Sequence, residues 1–455
     1  MPSVTPYEPG KNLSSPNCNI APVTAALGSD GKLFVGGCQL SELAERWGTP
    51  LYVLDEETLR LSCRAYQQAL QQHYPGIALP LYASKANSSL ALSHLVASEG
   101  LGLDAVSSGE LLTALRGGVL PEHIVLHGNN KSDKELTLAY NKGATIVVDN
   151  TYDLEQLAQI VPTNNQPARV MLRFTPGIEC HTHEYIQTGH LDSKFGFDPD
   201  YLEGILKELK NCSWVNLIGL HAHIGSQIFE LEPHRNLATI MVSVLDLARQ
   251  IGHPVNYLNV GGGLGVRYTK SDDPPSIDTW VEEVSKAVSS ACYAHRLELP
   301  KLLCEPGRSL VATAGVTLYR IGSRKTIPGL RTYVSVDGGM SDNPRPITYQ
   351  SSYTACLADC PTAAAEEVVT LAGKHCESGD VLLKDVALPR SQSGQVLAVF
   401  ATGAYNASMS SNYNRIPRPA AVLVHDGQSE LVQRRESDED LLRLDVLPKH
   451  LAEVT

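Results

Sequence analysis

Lys85 stands in LYASKAN, directly after an apolar, β-prone run. An amine at the end of a buried strand can be desolvated enough to lose its proton and form a Schiff base with an aldehyde cofactor. A lone lysine is more often a surface residue, so its weight comes from the company it keeps. NVGGGLG (259–265) puts consecutive glycines after a strand, where backbone N–H groups close on an anion or simply make a tight turn. It fails as a dinucleotide fingerprint, because Val266 stands where the third glycine of that pattern belongs. CEPGR (304–308) supplies Glu305, Gly307 and Arg308: a carboxylate able to keep a pyridine nitrogen protonated, or a local ion pair.

Further motifs add chemistry. HAH (221–223) places His221 and His223 on one face of a strand, with Ser226 shortly after. With HTH (181–183) it opens a rival reading as a metal-dependent barrel hydrolase, although no carboxylate triad completes such a site. Alternatively, His223 lies flat on a planar cofactor while Ser226 donates to its phosphate. In HCESGD (375–380), acidic neighbours disfavour a thiolate at Cys376, so a proton donor suits this thiol better than a nucleophile. GAYNASMSSNYN (403–414), which contains Tyr405, has the composition of a binding loop.

These residues need a frame that brings them together. Eight β-prone runs recur between 79 and 306: LPLYAS (79–84), GLDAVS (102–107), IVLHG (124–128), TIVVDN (145–150), VMLRF (170–174), IGLHAHIG (218–225), YLNVGGG (257–263) and KLLCEPG (301–307). Helical patterns separate them, as in SSGELLTALRGG and TYDLEQLAQIV. The order predicts an α/β chain with a (β/α)8 TIM barrel, and the polar residues Lys85, Asp104, His223 and Glu305 stand at run ends that a barrel focuses on one mouth. A doubly wound sheet is the competitor.

After Arg308 the pattern turns to short strands such as TYVSV (332–336) and QVLAVF (395–400), which predict an antiparallel β domain. The expected organisation is a poorly ordered N-terminal extension (1–30), a strand lent to the β domain (31–48), the barrel (49–309) and the C-terminal β domain (310–455).

The chain has 455 residues, 43% hydrophobic and 19% charged, with a net charge of −12; that balance argues against nucleic-acid or anionic-membrane partners. No apolar run approaches the roughly 20 residues that span a bilayer, and the N-terminus lacks a basic segment followed by an apolar one. A cytoplasmic enzyme acting on a small molecule is expected. The ten cysteines include no CxxC pair, so reduced, mostly buried thiols are expected.

In order along the chain, YASKAN, GLDAVSSGEL, HGNNKS, HTHEYIQTG with SKFG, HIGSQI, NVGGGLG, EPGR, CESGD and GAYNASMSSNYN resemble the fold-type III pyridoxal-phosphate decarboxylases, and within them the diaminopimelate decarboxylases. The resemblance runs from about residue 33 to near the C-terminus; the chain departs from it at Ser84, where the family more often has a larger apolar residue. It implies that pyridoxal 5'-phosphate is held by Lys85, with His223 stacked on the ring and Glu305 at the pyridine nitrogen. It also implies that Ser226, Gly262 or Gly263, Gly307 and Tyr405 surround the phosphate, with Asp104 near the lysine. Cys376 is implied as the acid that protonates the substrate carbanion, reaching the site with Glu377 from the second subunit of a homodimer.

The substrate can also be argued from charge. Arg308 and Arg345 each offer a bidentate fork to a distal carboxylate, Tyr349 adds a hydrogen bond and Glu377 meets the distal ammonium. Ornithine or lysine lacks that carboxylate and would face two unpaired cations. The expected reaction is decarboxylation of meso-2,6-diaminopimelate to L-lysine and carbon dioxide, the last step of lysine biosynthesis, without a metal. Ornithine, arginine or a D-amino acid is the alternative substrate.

Overall fold

A computed structural model describes residues 5–8, 10–162, 165–178 and 193–452. Each of the eight β-prone runs forms a barrel strand: Ala78–Ala83, Gly102–Ala105, Ile124–Leu126, Thr145–Val148, Ala168–Arg173, Val215–His221, Tyr257–Asn259 and Lys301–Cys304. All neighbours are parallel, and the ring closes where Lys301–Cys304 pairs with Ala78–Ala83. Strand alternation divides the side chains. Leu81, Val125, Val147, Met171, Ile218 and Leu303 form one buried cluster, while Tyr82, Leu172, Leu220 and Leu302 belong to the larger core that includes the surrounding helices.

The polar residues that end several runs start the next helix. Ser107 caps Ser108–Gly117, Asn150 caps Thr151–Ile160, and Ser132 forms a capping box with Glu135 ahead of Asp133–Lys142. Side chains at these strand ends are thereby followed closely by anchored backbone.

The C-terminal half contributes to a nine-stranded sheet that is mostly antiparallel. Its two parallel pairs join Arg331–Val336 to Glu367–Ala372 and Leu51–Asp55 to Ala420–His425. The strand lent by the N-terminal part is therefore Leu51–Asp55, not the 31–48 segment expected; it also pairs antiparallel with Gly315–Ile327. All five of its residues are buried, which an apolar run such as LYVLD achieves equally well in either domain. Leu33–Val35 and Cys38–Gln39 instead join Thr5–Pro6 and Ala26–Leu27 in a separate four-stranded antiparallel sheet.

The described part of the first 30 residues departs from the expected loose lead-in. Ser15, Asn17, Ile20, Ala21 and Ala25 are buried. Asn17 Nδ2 donates to the carbonyls of Gly265 at 3.2 Å and Pro275 at 3.0 Å, and Ser15 Oγ accepts from Ile277 N at 2.6 Å. The polar residues that look like disorder in sequence are the groups that satisfy barrel backbone. Among the described residues, no helix is long and apolar enough to cross a membrane.

Candidate active site

Lys85 lies in the 3-10 turn Ser84–Ala86, immediately beyond the first barrel strand. The β domain fastens this turn: Tyr405 N donates to Ala86 O at 2.7 Å, and Ser408 Oγ donates to Lys85 O at 2.9 Å. Tyr405 has a φ of +61°, a left-handed conformation that a tyrosine adopts only when its surroundings enforce it. The cleft at the barrel mouth, about 380 Å³, is lined by Lys85, Asp104, His223, Ser226, Gly263, Glu305, Gly307, Arg308 and Tyr405. Eight residues anticipated for the cofactor, together with Arg308, thus face one space.

Glu305 forms the buried acidic end of this cleft. Its Oε1 lies 2.8 Å from His127 Nε2 and accepts from Asn259 Nδ2 at 2.6 Å, while Oε2 lies 3.2 Å from His221 Nε2. Burial alone would raise its pKa, but His127 and His221 outweigh that and hold it well below the ordinary carboxylate range. Burial would likewise depress His127, yet Glu305 and Asp104 raise it; His221 is pushed down to about 4 by burial, against the pull of Glu305. His127 is therefore the histidine that balances the glutamate. Asp104 is raised to about 6, chiefly by burial, with His127 opposing and Glu305 reinforcing. Its Oδ1 makes no hydrogen bond among the described residues and lies 3.7 Å from His127 Nε2.

Next to Glu305, Gly262 N–H donates to His223 Nδ1 at 3.2 Å. His223 is pushed well below its usual pKa, first by burial and then by Lys85, so the imidazole is neutral and its Nδ1 is free to accept that bond. The glycines are required by close approach: a Cβ on Gly262 would lie 2.2 Å from Glu305 O, and Gly263 has a φ of +122°. Arg308 donates through Nε at 3.1 Å and Nη2 at 3.0 Å to Ser226 Oγ, and its guanidinium sits 4.8 Å from the centre of the Tyr405 ring. A cation with a hydroxyl and glycine backbone, an ionised carboxylate and an amine gathered around one cleft fit an anionic, nitrogen-containing aldehyde cofactor.

Arg345, Tyr349, Cys376 and Glu377 do not line this cleft. Arg345 is buried beside it, donating through Nη1 to Tyr268 OH at 2.8 Å and to Tyr353 OH at 3.0 Å. Tyr268 OH also accepts from Arg308 Nη1 at 2.7 Å, so one phenol links the two arginines. Tyr349 ends the short helix Arg345–Tyr349. Cys376 is exposed, its N–H donating to Asn414 Oδ1 at 2.9 Å, and Glu377 Oε2 accepts from Tyr413 OH at 3.5 Å.

The HAH pair, which the rival reading would give to a metal, divides between two tasks. His221 turns to Glu305 and His223 to Gly262. His127, His221 and Glu305 do bring ligand atoms within 4.8 Å of one another, but His223 is outside that group, and the HTH motif lies outside the described residues. His127, Asn259 and Tyr268 are site residues that the sequence reading did not single out. His127 and Asn259 end the third and seventh strand runs, so the rule that selected Lys85 applies to them as well.

The family model for "Pyridoxal-dependent decarboxylase, pyridoxal binding domain" matches residues 57–312. Diaminopimelate decarboxylase of Synechocystis sp. is 53% identical over 445 residues, covering 96% of this chain and 95% of that one. The Bacillus methanolicus diaminopimelate decarboxylase is 46% identical over 418 residues, covering 91% and 96%. The crystal structure of diaminopimelate decarboxylase from M. jannaschii in co-complex with L-lysine matches with a TM-score of 0.87 at 33% identity, covering 94% of this chain and 99% of that one. Likeness at this level over nearly the full length, around a cleft with the chemistry described, places the chain in the pyridoxal-dependent decarboxylases and, within them, in the diaminopimelate decarboxylase family.

Proposed function

We propose that this protein decarboxylates meso-2,6-diaminopimelate to L-lysine and carbon dioxide. The observation that carries the reading is the pair of buried guanidinium groups, Arg308 and Arg345, joined through Tyr268 beside the Lys85 cleft. A substrate ending in a carboxylate satisfies such cations, whereas one ending only in an ammonium is repelled by them.

Pyridoxal phosphate, when bound, supplies the electron sink that allows the bond to the departing carboxylate to break. The residues of this chain do the rest. Lys85 provides the amine that anchors the cofactor, and Ser226 with Gly263 binds its phosphate, while Arg308 holds Ser226 Oγ through Nε and Nη2. Glu305, kept ionised by His127 and His221, holds a proton at the ring nitrogen. His223, held neutral by burial and by Lys85, would pack on the ring without adding charge.

Cys376 donates the proton that replaces the carboxylate, and Glu377 meets the distal ammonium. Both act from the second subunit of a homodimer. In support, Cys376 is exposed and off the cleft of its own chain. Tyr413, 41% exposed, stacks on His375 beside it, and the side chain of Ile347, 39% exposed, packs against Gly379 of the same turn. These apolar groups suit a subunit contact. The buried thiols of Cys38, Cys63, Cys292, Cys304 and Cys356 suit the reducing cytoplasm.

The test is carbon dioxide release from meso-diaminopimelate and from ornithine, with and without added cofactor. Turnover of meso-diaminopimelate should dominate; faster turnover of ornithine defeats the substrate assignment. Lys85→Ala and Cys376→Ala should each be nearly inactive, and mixed dimers of the two should recover partial activity. Verified mixed dimers that stay inactive rule out a shared site.

A further inference from the structure

The turn that carries Cys376 and Glu377 is built around a buried carboxylate that the reaction itself does not use. Asp380 Oδ2 accepts from the backbone N–H of His375 at 2.9 Å and lies 2.8 Å from its ring Nδ1. Oδ1 accepts from the N–H of Met340 at 2.7 Å. The backbone of Asp380 closes the turn, its N–H donating to Glu377 O at 3.1 Å and its carbonyl accepting from Gly373 N at 2.9 Å. Two glycines make room for the carboxylate: a Cβ on Gly373 would lie 2.0 Å from Oδ2, and one on Gly339 2.5 Å from either oxygen.

The two oxygens therefore face different stretches of chain. One faces the residue preceding Cys376. The other faces Met340, in the segment where Asn343 N donates to Gly339 O at 2.8 Å and which runs directly into the helix Arg345–Tyr349. The ring of His375, fixed by Asp380, stacks on Tyr413 at 6.0 Å, and Tyr413 OH reaches Glu377. A buried carboxylate with three donors makes charge-assisted bonds, each stronger than a neutral one and costly to leave unmade.

We propose that Asp380 is a positioning residue, which locks the turn presenting Cys376 and Glu377 to the segment presenting Arg345. The acid offered to the second subunit and the arginine kept for its own site then share one frame. The proposal rests on the reading of Cys376 as proton donor, and the experiment separates the two.

In the holoenzyme, Asp380→Asn should leave the visible absorption of the bound cofactor unchanged, because Asp380 does not line the Lys85 cleft. It should lower kcat by roughly 100-fold, as misplacement of a reacting group by about 1 Å does, and raise KM as well, because Glu377 and Arg345 are held in the same frame. Amide hydrogen exchange supplies the readout that a general loss of stability would not imitate. The amides of Met340 and His375 should exchange slowly in the wild type and accelerate together in the variant, while those of the barrel strands stay unchanged. A folded Asp380→Asn enzyme with wild-type kcat overturns the proposal. So do Met340 and His375 amides that exchange in the wild type as fast as an open turn, a result available even if the variant does not fold. Cys376→Ala with wild-type kcat would instead overturn the reading of the thiol, leaving exchange to judge the Asp380 link.

Discussion

Arg308 and Arg345 both donate to the hydroxyl oxygen of Tyr268, and the shared acceptor holds the two guanidinium groups together at the side of the cleft. Burial alone would raise the pKa of this phenol, but the two cations more than offset it and pull it below its usual value. Tyr268→Phe removes the shared acceptor while keeping the ring. Hydrogen bonds to charged groups are worth about 1.5–3 kcal/mol, so loosening this pair should raise KM for meso-diaminopimelate by roughly 10- to 100-fold. The absorption of the bound cofactor should persist, since Glu305, His223 and Lys85 are untouched. Steady-state kinetics with an unchanged KM would show that Tyr268 does not organise the arginines. Tyr268 was not legible in sequence because it stands in irregular chain after NVGGGLG, without periodicity or motif. Lys85, Asp104, His223 and Glu305 were legible for the opposite reason: strand ends of a barrel converge, so polar residues that stop apolar runs mark the mouth.

Elements show a similar contrast. Eight barrel strands were readable because each is a buried run between helical patterns, and the parallel order follows from that alternation. The strand Leu51–Asp55 was not, since its partners Gly315–Ile327 and Ala420–His425 lie more than 250 residues away and nothing in LYVLD names them. The N-terminal segment was misjudged on composition. Its Asn17 side chain satisfies the carbonyls of Gly265 and Pro275, and Arg267 N donates to Asn17 O at 2.9 Å, so this segment braces the chain on both sides of Val266. Asn17→Ala would leave two buried carbonyls short of a donor, at about 1–3 kcal/mol for each group left unsatisfied. The expected outcome is a lower Tm together with weaker retention of the cofactor on dialysis, because Gly265 belongs to the same glycine run as Gly263. A drop in Tm with cofactor retention unchanged would limit the segment to stabilising the fold.

At the scale of the whole molecule, the chain enters the β domain through Leu51–Asp55, leaves to build the barrel, and returns through Gly315–Ile327. Asp342 sits where these passes meet: Tyr52 OH donates to its carbonyl at 2.6 Å, Tyr319 OH bonds its Oδ1, and Gly339 N donates to its Oδ2 at 2.7 Å. Burial, reinforced by Asp380 and Asp337 and opposed by the bonds from Tyr319 and Gly339, raises the carboxyl from 3.8 to about 7. Because the folded pKa lies above the unfolded one, the folded state binds the proton more tightly, and stability falls as pH rises from the unfolded value through about 7. At 1.36 kcal/mol per unit, the change across that window is at most about 4 kcal/mol. Asp342→Asn abolishes this titration. The wild type should therefore have its greatest advantage in Tm over the variant at about pH 4 or below and lose most of it by about pH 8, where the buried carboxylate must ionise in the wild type alone. Thermal unfolding of both proteins at the two pH values measures the difference directly. An equal gap at both would mean that Asp342 is already ionised in the folded protein, and that the hydroxyl of Tyr319 and the N–H of Gly339 are enough to hold a buried charge where the two passes of the chain meet.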